Sequence, residues 1–320
     1  MRDAMDCIVC GTCVADILVR PVPLSEPVGG GRLFHVEPIE ATTGGIVCNT
    51  GIAMRRLGMR VAAASLVGAD AWGELVRSRL TAEGIDCTAV ESHPQRATST
   101  TAVLIDPSGE RSFAHHVGAP QALDLAFVRR LAPHWMRSRV ALVGYFGLLP
   151  ALEPTMGEAL ATIRGAGCLV ALETGGSGGA LEQLLPALPH VDVYVPSLDE
   201  ATHQTGLHDP REIVACYRGH GAAGILGVKL GSRGTLLSPA AGEFLDIPCV
   251  PAPGPVADTT GAGDSFLAGL LTGIIRGMPL REAGILGAAT AACCVTGLGA
   301  IAGLRSFDET LALARGHIHG

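Results

Sequence analysis

The sequence predicts an α/β protein with helices on both faces of a mostly parallel central sheet and a small second sheet as a lid. From Val140 onward, short apolar strands alternate with helical segments, as in parallel sheets. Two earlier segments, 98–105 and 111–116, are polar at alternate positions, which is typical of a half-exposed sheet. A glycine-rich motif at 258–265 also stands directly before an apolar helix, where a ligand site is expected.

The first third of the chain supplies strands to both sheets. The Pro- and Gly-rich segment 21–31 is predicted to be a loop, and Gly44 and Gly45 permit close backbone approach at the start of a helix. A second helix begins after Asp70, a favourable N-cap, and ends before Gly84. The strands predicted before residue 120 are 7–10, 14–19, 33–39, 61–67, 98–105 and 111–116.

Four of these strands are assigned to the lid sheet. Strands 98–105 and 111–116 flank Asp106–Glu110, where Pro and Gly favour a hairpin turn. Strands 14–19 and 33–39 are expected to join them. We therefore expect a single domain over residues 1–320, with lid strands inserted at about 12–40 and 98–117.

The remainder of the chain carries most of the central sheet. The predicted strands are 140–143, 168–172, 191–195 and 224–228, followed by an antiparallel pair at 235–237 and 243–247. The predicted helices are 153–164, 181–188, 197–205, 211–218, 266–275, 280–295 and 307–314. The run Gly175–Gly179 lies within this alternation, so we expect a loop at the carboxyl edge of the sheet, where open α/β sheets bind ligands.

Composition argues against several classes of partner. With 23 Lys and Arg against 30 Asp and Glu the net charge is −7, and aromatic residues make up only 4%, so no nucleic-acid partner is expected. The apolar segment Phe266–Ile275 is too short to span a bilayer, so no membrane partner is expected. The first residues, Met1–Asp6, do not resemble a secretion signal, and we expect a cytoplasmic protein.

The ten cysteines include Cys7, Cys10 and Cys13, whose spacing imitates a metal or iron–sulfur motif. These residues lie in a β-branched run, and residues three apart on a strand point to opposite faces. Cys10 is therefore expected to face away from Cys7 and Cys13. We interpret all three as thiols of the core.

The motif at 258–265 combines an anion site with a base. Gly261 and Gly263 flank Ala262, so no large side chain would keep an anion from the backbone. A helix that starts near Gly263 would direct free N–H groups and its positive dipole end at that place. Asp264 stands in the first turn, beside any bound phosphate. This combination predicts phosphoryl transfer to a hydroxyl group.

Two other phosphate-binding patterns are excluded. Phe266 occupies the last glycine position that a dinucleotide fingerprint needs, and the chain contains no Gly-Lys-Ser/Thr of a Walker loop.

Two isolated residues are open to alternatives. Asp16, among apolar neighbours, either faces solvent or binds a ligand, and Asn49 either bonds a polyol or lies on the helix surface.

Together these residues resemble the ribokinase-like, pfkB-type carbohydrate kinases along nearly the whole chain. The segment Asp258–Asp264 matches the C-terminal motif of that family without a mismatch. Gly44, Gly45 and Asn49 match its N-terminal motif, and Asp16 stands where its sugar-binding aspartate is expected. The segment 229–234 corresponds to its nucleotide-binding segment. The resemblance implies the ribokinase-like fold, three layers of α/β/α with a β-sheet lid.

The resemblance also implies roles for individual residues. Asp264 would be the general base, and the backbone N–H groups of Ala262, Gly263 and Asp264, with Gly261, would form an anion hole for the γ-phosphate. The residues implied to hold the sugar are Asp16, Gly44, Gly45 and Asn49. Those implied to line ATP are Lys229, Gly231 and Gly234, with Gly299 and Ala300 beside the adenine. Glu200 would hold Mg²⁺ through water, while Asp258 and Thr260 would bind a monovalent cation such as K⁺.

The chain departs from the family pattern at two places. Ser197 stands where the family usually has Asn three residues before the metal-organising Glu, and either it only caps the helix or it shares in metal binding. Glu173 replaces a common Asp, and Lys229, where many relatives have Thr, either pairs with a phosphate or marks an acidic substrate. Arg111 on the lid either binds a substrate carboxylate or is a solvated edge residue.

The resulting hypothesis is ATP-dependent phosphorylation of a primary hydroxyl of a small sugar or sugar acid. A nucleoside kinase of the same fold, a sugar-binding regulatory protein with weak catalysis and a donor other than ATP are the alternatives. Because exposed strands on one side of a sheet usually need covering, we expect the lid sheet to form a homodimer contact.

Overall fold

The protein is described by a computed structural model for residues 4–25 and 29–317, so the loop predicted over 21–31 lies partly outside the described residues. Across these residues the fold is α/β, with one sheet of nine strands and a separate sheet of four. This confirms the predicted fold class. No helix in the described part of the chain is both long enough and apolar enough to cross a membrane.

Most of the strands correspond to predicted strands with shifted bounds. They are β1 (Met5–Gly11), β2 (Val14–Val19), β3 (Glu40–Gly44), β4 (Val61–Gly68), β5 (Asp86–His93), β6 (Thr100–Ile105), β7 (Arg111–His116), β8 (Ser138–Phe146), β9 (Leu169–Thr174), β10 (Val193–Tyr194), β11 (Ile225–Lys229), β12 (Thr235–Ser238) and β13 (Leu245–Ile247).

The helices lie mainly between the strands of the large sheet and after the last strand. They are α1 (Gly45–Arg56), α2 (Ala71–Ala82), α3 (Leu125–Arg130), α4 (Ala132–Trp135), α5 (Met156–Gly165), α6 (Leu181–Leu184), α7 (Leu198–Thr205), α8 (Pro210–Gly219), α9 (Ala262–Ile275), α10 (Leu280–Cys294) and α11 (Phe307–Arg315).

The large sheet has the strand order β13-β12-β11-β10-β9-β8-β1-β4-β5. Neighbouring strands pair in parallel from β11 through β10, β9, β8, β1 and β4 to β5. The pairs β11–β12 and β12–β13 are antiparallel. The carboxyl ends of the parallel strands therefore meet at one edge. The small sheet, which we call the lid, has the order β3-β2-β6-β7.

Two hydrophobic cores cover the two faces of the large sheet. Cys7 and Cys13 belong to the core formed with α1, α9 and α10, while Cys10 belongs to the core on the opposite face. The three thiols are buried, and their orientation is the one predicted from the strand period. They are part of the packing of the sheet.

The strand predicted at 33–39 is wrong. The third lid strand is instead β3, whose residues Thr42 and Thr43 pair with β2 directly before α1 begins. Leu33 and Ile39 are 82% and 60% exposed, so their apolar pattern has no core to bury it. The strand forms where the chain can pair with β2, because a strand needs a partner for its backbone N–H and C=O groups.

Three further elements, one strand and two short helices, were not predicted from the sequence. Strand β5 pairs in parallel with β4 at the edge of the large sheet, and its exposed polar residues hide the strand period. The short helices α3 and α4 follow the lid and bury Phe127 and Trp135 in the second core. Edge position and short length remove the periodic signal on which the prediction depends.

Candidate active site

Helix α9 begins at Ala262, directly after the glycine that allows the chain to turn. Gly261 has a φ of 75°, in the left-handed region that favours glycine. A Cβ at this position would also lie 2.4 Å from Ala300 Cβ. Because of this turn, α9 enters the core with its N-terminus directed at the carboxyl edge of the large sheet.

The first turn of α9 presents backbone N–H groups. The first N–H groups of a helix have no carbonyl partner within it. The N–H of Ala262 donates to Thr259 O at 3.2 Å. Gly263 and Asp264 come next in this turn, so their N–H groups are the best placed to bind an anion.

The carboxylate of Asp264 is held by two donors from distant parts of the chain. Asn49 Nδ2 donates to Asp264 Oδ2 at 2.8 Å, and Tyr145 Oη donates to the same oxygen at 2.7 Å. Asp264 is only 8% exposed. Burial raises the pKa of Asp264, while the hydrogen bonds from Tyr145 and Asn49 oppose the rise. The carboxylate is therefore oriented, and one oxygen carries both hydrogen bonds.

Tyr145 was not predicted from the sequence. It lies near the end of β8, two strand positions beyond the segment 140–143 that was predicted. Its place at the carboxyl edge of a parallel strand was the available signal, because ligand-binding groups concentrate at that edge.

Three adjoining cavities surround this carboxylate. The lid cavity, of about 290 Å³, lies under β2, β6 and β7, and the apolar cavity, of about 380 Å³, lies beside α9 and α10. Between them the helix-start cavity includes Asp264 and the segment 261–263. Tyr145 lines both the lid cavity and the helix-start cavity, whereas Lys229 and Gly263 line both the helix-start cavity and the apolar cavity. The carboxylate thus stands between two cavities of small-molecule size.

The lid cavity brings the predicted sugar-binding residues together. It is lined by Asp16, Gly44, Gly45, Asn49 and Arg111, among others. A Cβ on Gly44 would lie 2.2 Å from Asp16 Oδ2, so the missing side chain is what admits this carboxylate. Burial raises the pKa of Asp16, while Thr101 and His115 oppose the rise.

The same cavity contains buried polar side-chain atoms without hydrogen-bond partners among the described residues. Among the described residues, Thr12 Oγ1, Thr43 Oγ1 and Asn49 Oδ1 have no hydrogen-bond partner. All three residues line the lid cavity. Buried polar groups are normally paired, so these three atoms are available to hydrogen-bond a polar ligand in the cavity.

The apolar cavity holds three of the predicted nucleotide-binding residues, Lys229, Gly231 and Gly234. Its other walls include small apolar side chains of α10, which were not predicted. Gly299 and Ala300 line the lid cavity instead, so the structure does not bring them together with the other three.

Lys229 Nζ forms a salt bridge with the Glu173 carboxylate inside the helix-start cavity, where both side chains are nearly buried, at 12% and 4% exposed. Burial raises the pKa of Glu173 to about 8, although the Lys229 ammonium opposes the rise. The second carboxylate oxygen, Glu173 Oε2, is buried with no hydrogen-bond partner among the described residues.

Ser197 and Glu200 form a capping box at the start of α7. Ser197 Oγ accepts from Glu200 N at 3.3 Å, and Glu200 Oε2 accepts from Ser197 N at 2.7 Å. This confirms the helix-capping interpretation of Ser197. The Glu200 side chain also lines the helix-start cavity.

Arg111 reaches from β7 of the lid to the segment that precedes α9. Its Nη2 lies 2.5 Å from Asp258 Oδ2, and its Nη1 donates to Thr260 Oγ1. Asp258 Oδ2 also accepts from Gly299 N at 2.6 Å. Burial disfavours the charge of Asp258, but Arg111 and the backbone N–H groups lower its pKa below the ordinary value.

Residues 8–306 match the pfkB family of carbohydrate kinases. The chain belongs to this family. It is 28% identical over 312 residues to a ribokinase of Haemophilus influenzae, with 95% of this chain and 96% of that protein covered. The pfkB assignment thus agrees with the residues that carry the resemblance, and it makes this protein a carbohydrate kinase.

Solved structures share the fold of this carbohydrate kinase. A ribokinase of Arabidopsis thaliana complexed with ribose and ATP superposes with a TM-score of 0.85 at 24% identity, over 98% of this chain and 99% of that one. An Escherichia coli protein classed as a ribokinase II, in complex with ATP and Mg²⁺, superposes with a TM-score of 0.80 at 20% identity, over 98% and 100%. At these identities the likeness shows the fold.

Proposed function

We propose that this carbohydrate kinase transfers the terminal phosphoryl group of ATP to a primary hydroxyl of a small sugar or sugar acid. The observation that carries the proposal is the position of Asp264. Its carboxylate lines the helix-start cavity at the start of α9, and the two donors on its Oδ2, Asn49 and Tyr145, line the lid cavity.

Asp264 acts as the general base in this proposal. Asn49 and Tyr145 occupy Oδ2, which leaves Oδ1 to take the proton from the acceptor hydroxyl. The raised pKa from burial makes the carboxylate a better base than an exposed aspartate. A positioned base of this kind contributes roughly 10²–10⁴ in rate.

The N-terminus of α9 serves as the anion hole. Phosphoryl transfer depends on in-line positioning and on neutralising charge that spreads over the phosphoryl oxygens. The N–H groups of Gly263 and Asp264 supply the main donors, with Gly261 and Ala262 shaping the backbone around them. Such preorganised donors act at little cost because they need not reorganise during the reaction.

The lid cavity binds the acceptor. Asp16 and the unpaired Asn49 Oδ1, Thr12 Oγ1 and Thr43 Oγ1 offer acceptors and hydroxyl groups to a polyol. Gly44 and Gly45 line the same cavity and, because they carry no side chains, let the acceptor approach the backbone closely. A nucleoside is the second candidate, favoured by a further set of side chains in this cavity. That apolar set is Leu18, Val103, Ile105, Phe113, Val117 and Leu148.

The apolar cavity binds the nucleotide. Gly231 and Gly234 leave room for it, and the small side chains of α10 face the base. Lys229 lines this cavity and the helix-start cavity and pairs with Glu173. In this proposal its ammonium moves from the Glu173 carboxylate to a phosphate of the bound nucleotide.

The residues around the helix-start cavity fit a bound Mg²⁺. Glu173 Oε2 is a buried carboxylate oxygen without a partner among the described residues, and Glu200 lies beside it in the same cavity. Carboxylate oxygens, with water, are the ligands Mg²⁺ prefers. A bound Mg²⁺ neutralises charge on the phosphates. Glu200 and Glu173 are the residues we propose to hold it.

The lid is also proposed to form a homodimer contact. Residues 112–116 of β7 are exposed, as are Leu33 and Ile39 beside the lid. Pairing of two lids would cover exposed strands and apolar side chains. Light scattering at micromolar concentration measures this, and a monomer would contradict it.

A coupled assay of ADP release tests the function. ATP is supplied with a panel of sugars, sugar acids and nucleosides, and ADP replaces ATP in a parallel series with AMP as the product. We expect turnover with ATP and one class of acceptor. Tight binding of a sugar in calorimetry, without turnover of any acceptor, would instead indicate a sugar-binding protein.

A further inference from the structure

The contact between Arg111 and the segment before α9 joins the lid to the proposed anion hole. Arg111 and Thr260 are 149 positions apart in the chain. The guanidinium bridges the Asp258 carboxylate and the Thr260 hydroxyl. Its side chain is 17% exposed and that of Asp258 is 2% exposed. Arg111 is therefore not a solvated edge residue, and its guanidinium is already paired within the protein.

Asp258 organises the backbone that leads into α9. Its Oδ1 accepts from Thr260 N at 2.8 Å, and its Oδ2 accepts from Gly299 N at 2.6 Å. These two bonds hold the segment 258–260 against the segment at 299 just before the turn at Gly261. A buried carboxylate keeps its charge only where positive groups compensate the lost hydration. Arg111 supplies the full positive charge.

We propose that Arg111 is a positioning residue that holds the anion-hole segment in place from the lid and supplies there the charge that a monovalent cation would supply. Turnover is then independent of added monovalent cations. The proposal rests on the function proposed above, because the anion hole is part of it. Arg111 acts through Asp258 and Thr260, and it contacts the reacting groups only through them.

Arg111 couples the position of the lid to the anion-hole segment. The lid covers the lid cavity, where we propose that the sugar binds. Strand β7 of the lid also carries Arg111, whose guanidinium reaches Asp258. Closure of the lid over a sugar and completion of the anion hole are thereby the same movement. The rate of transfer then depends on Arg111 more strongly than the affinity for the sugar does.

Steady-state kinetics test the proposal with Arg111→Ala, Arg111→Lys and Arg20→Ala. Arg20 is a matched control, since it makes ion pairs with Glu37 and Glu40 away from the anion-hole segment. Each protein is assayed with KCl and with tetramethylammonium chloride at equal ionic strength. For the unmodified enzyme and Arg20→Ala we expect the same kcat in both salts.

For Arg111→Ala in tetramethylammonium we expect kcat to fall by about 100-fold, as for misplaced catalytic groups, with a smaller change in KM for the sugar. K⁺ or guanidinium ions should restore part of kcat in this variant alone, and Arg111→Lys should retain more activity than Arg111→Ala. An unmodified enzyme that needs K⁺ would overturn the proposal. A rise in KM with unchanged kcat would assign Arg111 to substrate binding instead.

Hydrogen exchange gives a readout that does not need turnover. In Arg111→Ala the amides of 258–264 should exchange faster than in the unmodified protein, and K⁺ should slow them in that variant. If no acceptor is phosphorylated by any form, the proposed function fails while this result still decides the role of Arg111. Unchanged exchange at 258–264 would refute that role.

Discussion

Asn49 Nδ2 lies 2.8 Å from Asp264 Oδ2, and this hydrogen bond joins residues 215 positions apart in the chain. Asn49 belongs to α1 and Asp264 to α9, the two helices that meet beneath the lid cavity. Because Tyr145 donates to the same oxygen, both hydrogen bonds fall on Oδ2, and Oδ1 is left for the acceptor hydroxyl that we propose. This asymmetry is the basis of the first two predictions.

Asp264→Asn should abolish phosphorylation while the protein still binds its sugar. The amide has nearly the shape of the carboxylate but cannot take a proton, so we expect kcat to fall by about 10²–10⁴. Coupled ADP release measures turnover, and calorimetry measures sugar binding. Asp199→Asn, on the exposed face of α7, is the matched control. Normal turnover of Asp264→Asn would refute the assignment of the base.

Tyr145→Phe should move the acid limb of the pH profile of kcat/KM to higher pH. The base is active when deprotonated, so activity falls as pH falls through the raised pKa of Asp264. The tyrosine hydroxyl stabilises the carboxylate, and its loss raises that pKa further, by about one pH unit for a hydrogen bond to a charged group. Tyr194→Phe, whose hydroxyl bonds Gln204, is the control. An unshifted acid limb in Tyr145→Phe would contradict the prediction.

Lys229→Met should destabilise the fold by leaving the Glu173 carboxylate buried and unpaired. Breaking a buried ion pair costs about 3–5 kcal/mol. The full cost should appear above pH 8 and should shrink below it, because burial raises the pKa of Glu173 to about 8 and protonation then removes the charge. Urea unfolding at two pH values measures this.

The double variant Lys229→Met with Glu173→Leu separates stability from function. Removing both charges should restore most of the free energy of unfolding, because no uncompensated buried charge is left. The KM for ATP should stay raised, since the proposed phosphate contact of Lys229 and the proposed Mg²⁺ contact of Glu173 are both lost. Recovery of both quantities would show that Lys229 serves only to neutralise Glu173 and that Glu173 does not hold Mg²⁺.

Gly44→Ala should weaken binding of the sugar. The new methyl group would stand 2.2 Å from Asp16 Oδ2, so the carboxylate must move away from the lid cavity. We expect KM for the sugar to rise about 10-fold or more, equivalent to about 1.4 kcal/mol, with little change in KM for ATP. Gly165→Ala, where a Cβ meets nothing within 4 Å, is the control. Equal KM values for both variants would contradict the proposed role of Asp16.

Ser197→Ala should lower the free energy of unfolding by about 1 kcal/mol, as expected for loss of an N-cap. The capping box shows that Ser197 is committed to the helix, so the Mg²⁺ concentration that gives half-maximal activity should change little. Thermal unfolding and a Mg²⁺ titration of activity check these two quantities. Ser306→Ala, at the equivalent capping box of α11, is the control. A large change in Mg²⁺ requirement would place Ser197 in metal binding.

The motifs of this chain predicted much of the site because their chemistry is local. A left-handed glycine, a helix start and an aspartate in its first turn are all set by the segment 258–265. The alternation of strands and helices likewise predicted the parallel sheet, since burial on both faces makes each strand apolar. The incorrect strand at 33–39 shows the limit. Its apolar residues had the right period but no partner strand.

Other features depended on contacts between segments far apart in the chain. The donors to Asp264, the pairing of Lys229 with Glu173 and the bridge from Arg111 to Asp258 all join different elements. Spacing within one segment carries no information on which distant side chain will face it.

The sequence by itself therefore determined the class of fold, the position of the glycine turn before α9 and the carboxylate in the first turn of that helix, because backbone conformation and strand burial follow from neighbouring residues. Only the tertiary structure decided what surrounds that carboxylate. Tyr145 reaches it because β8 ends beside α9, and Arg111 reaches Asp258 because the lid folds over the same edge of the sheet. In both cases, the packing of elements from opposite parts of the chain sets the charge and orientation of the site.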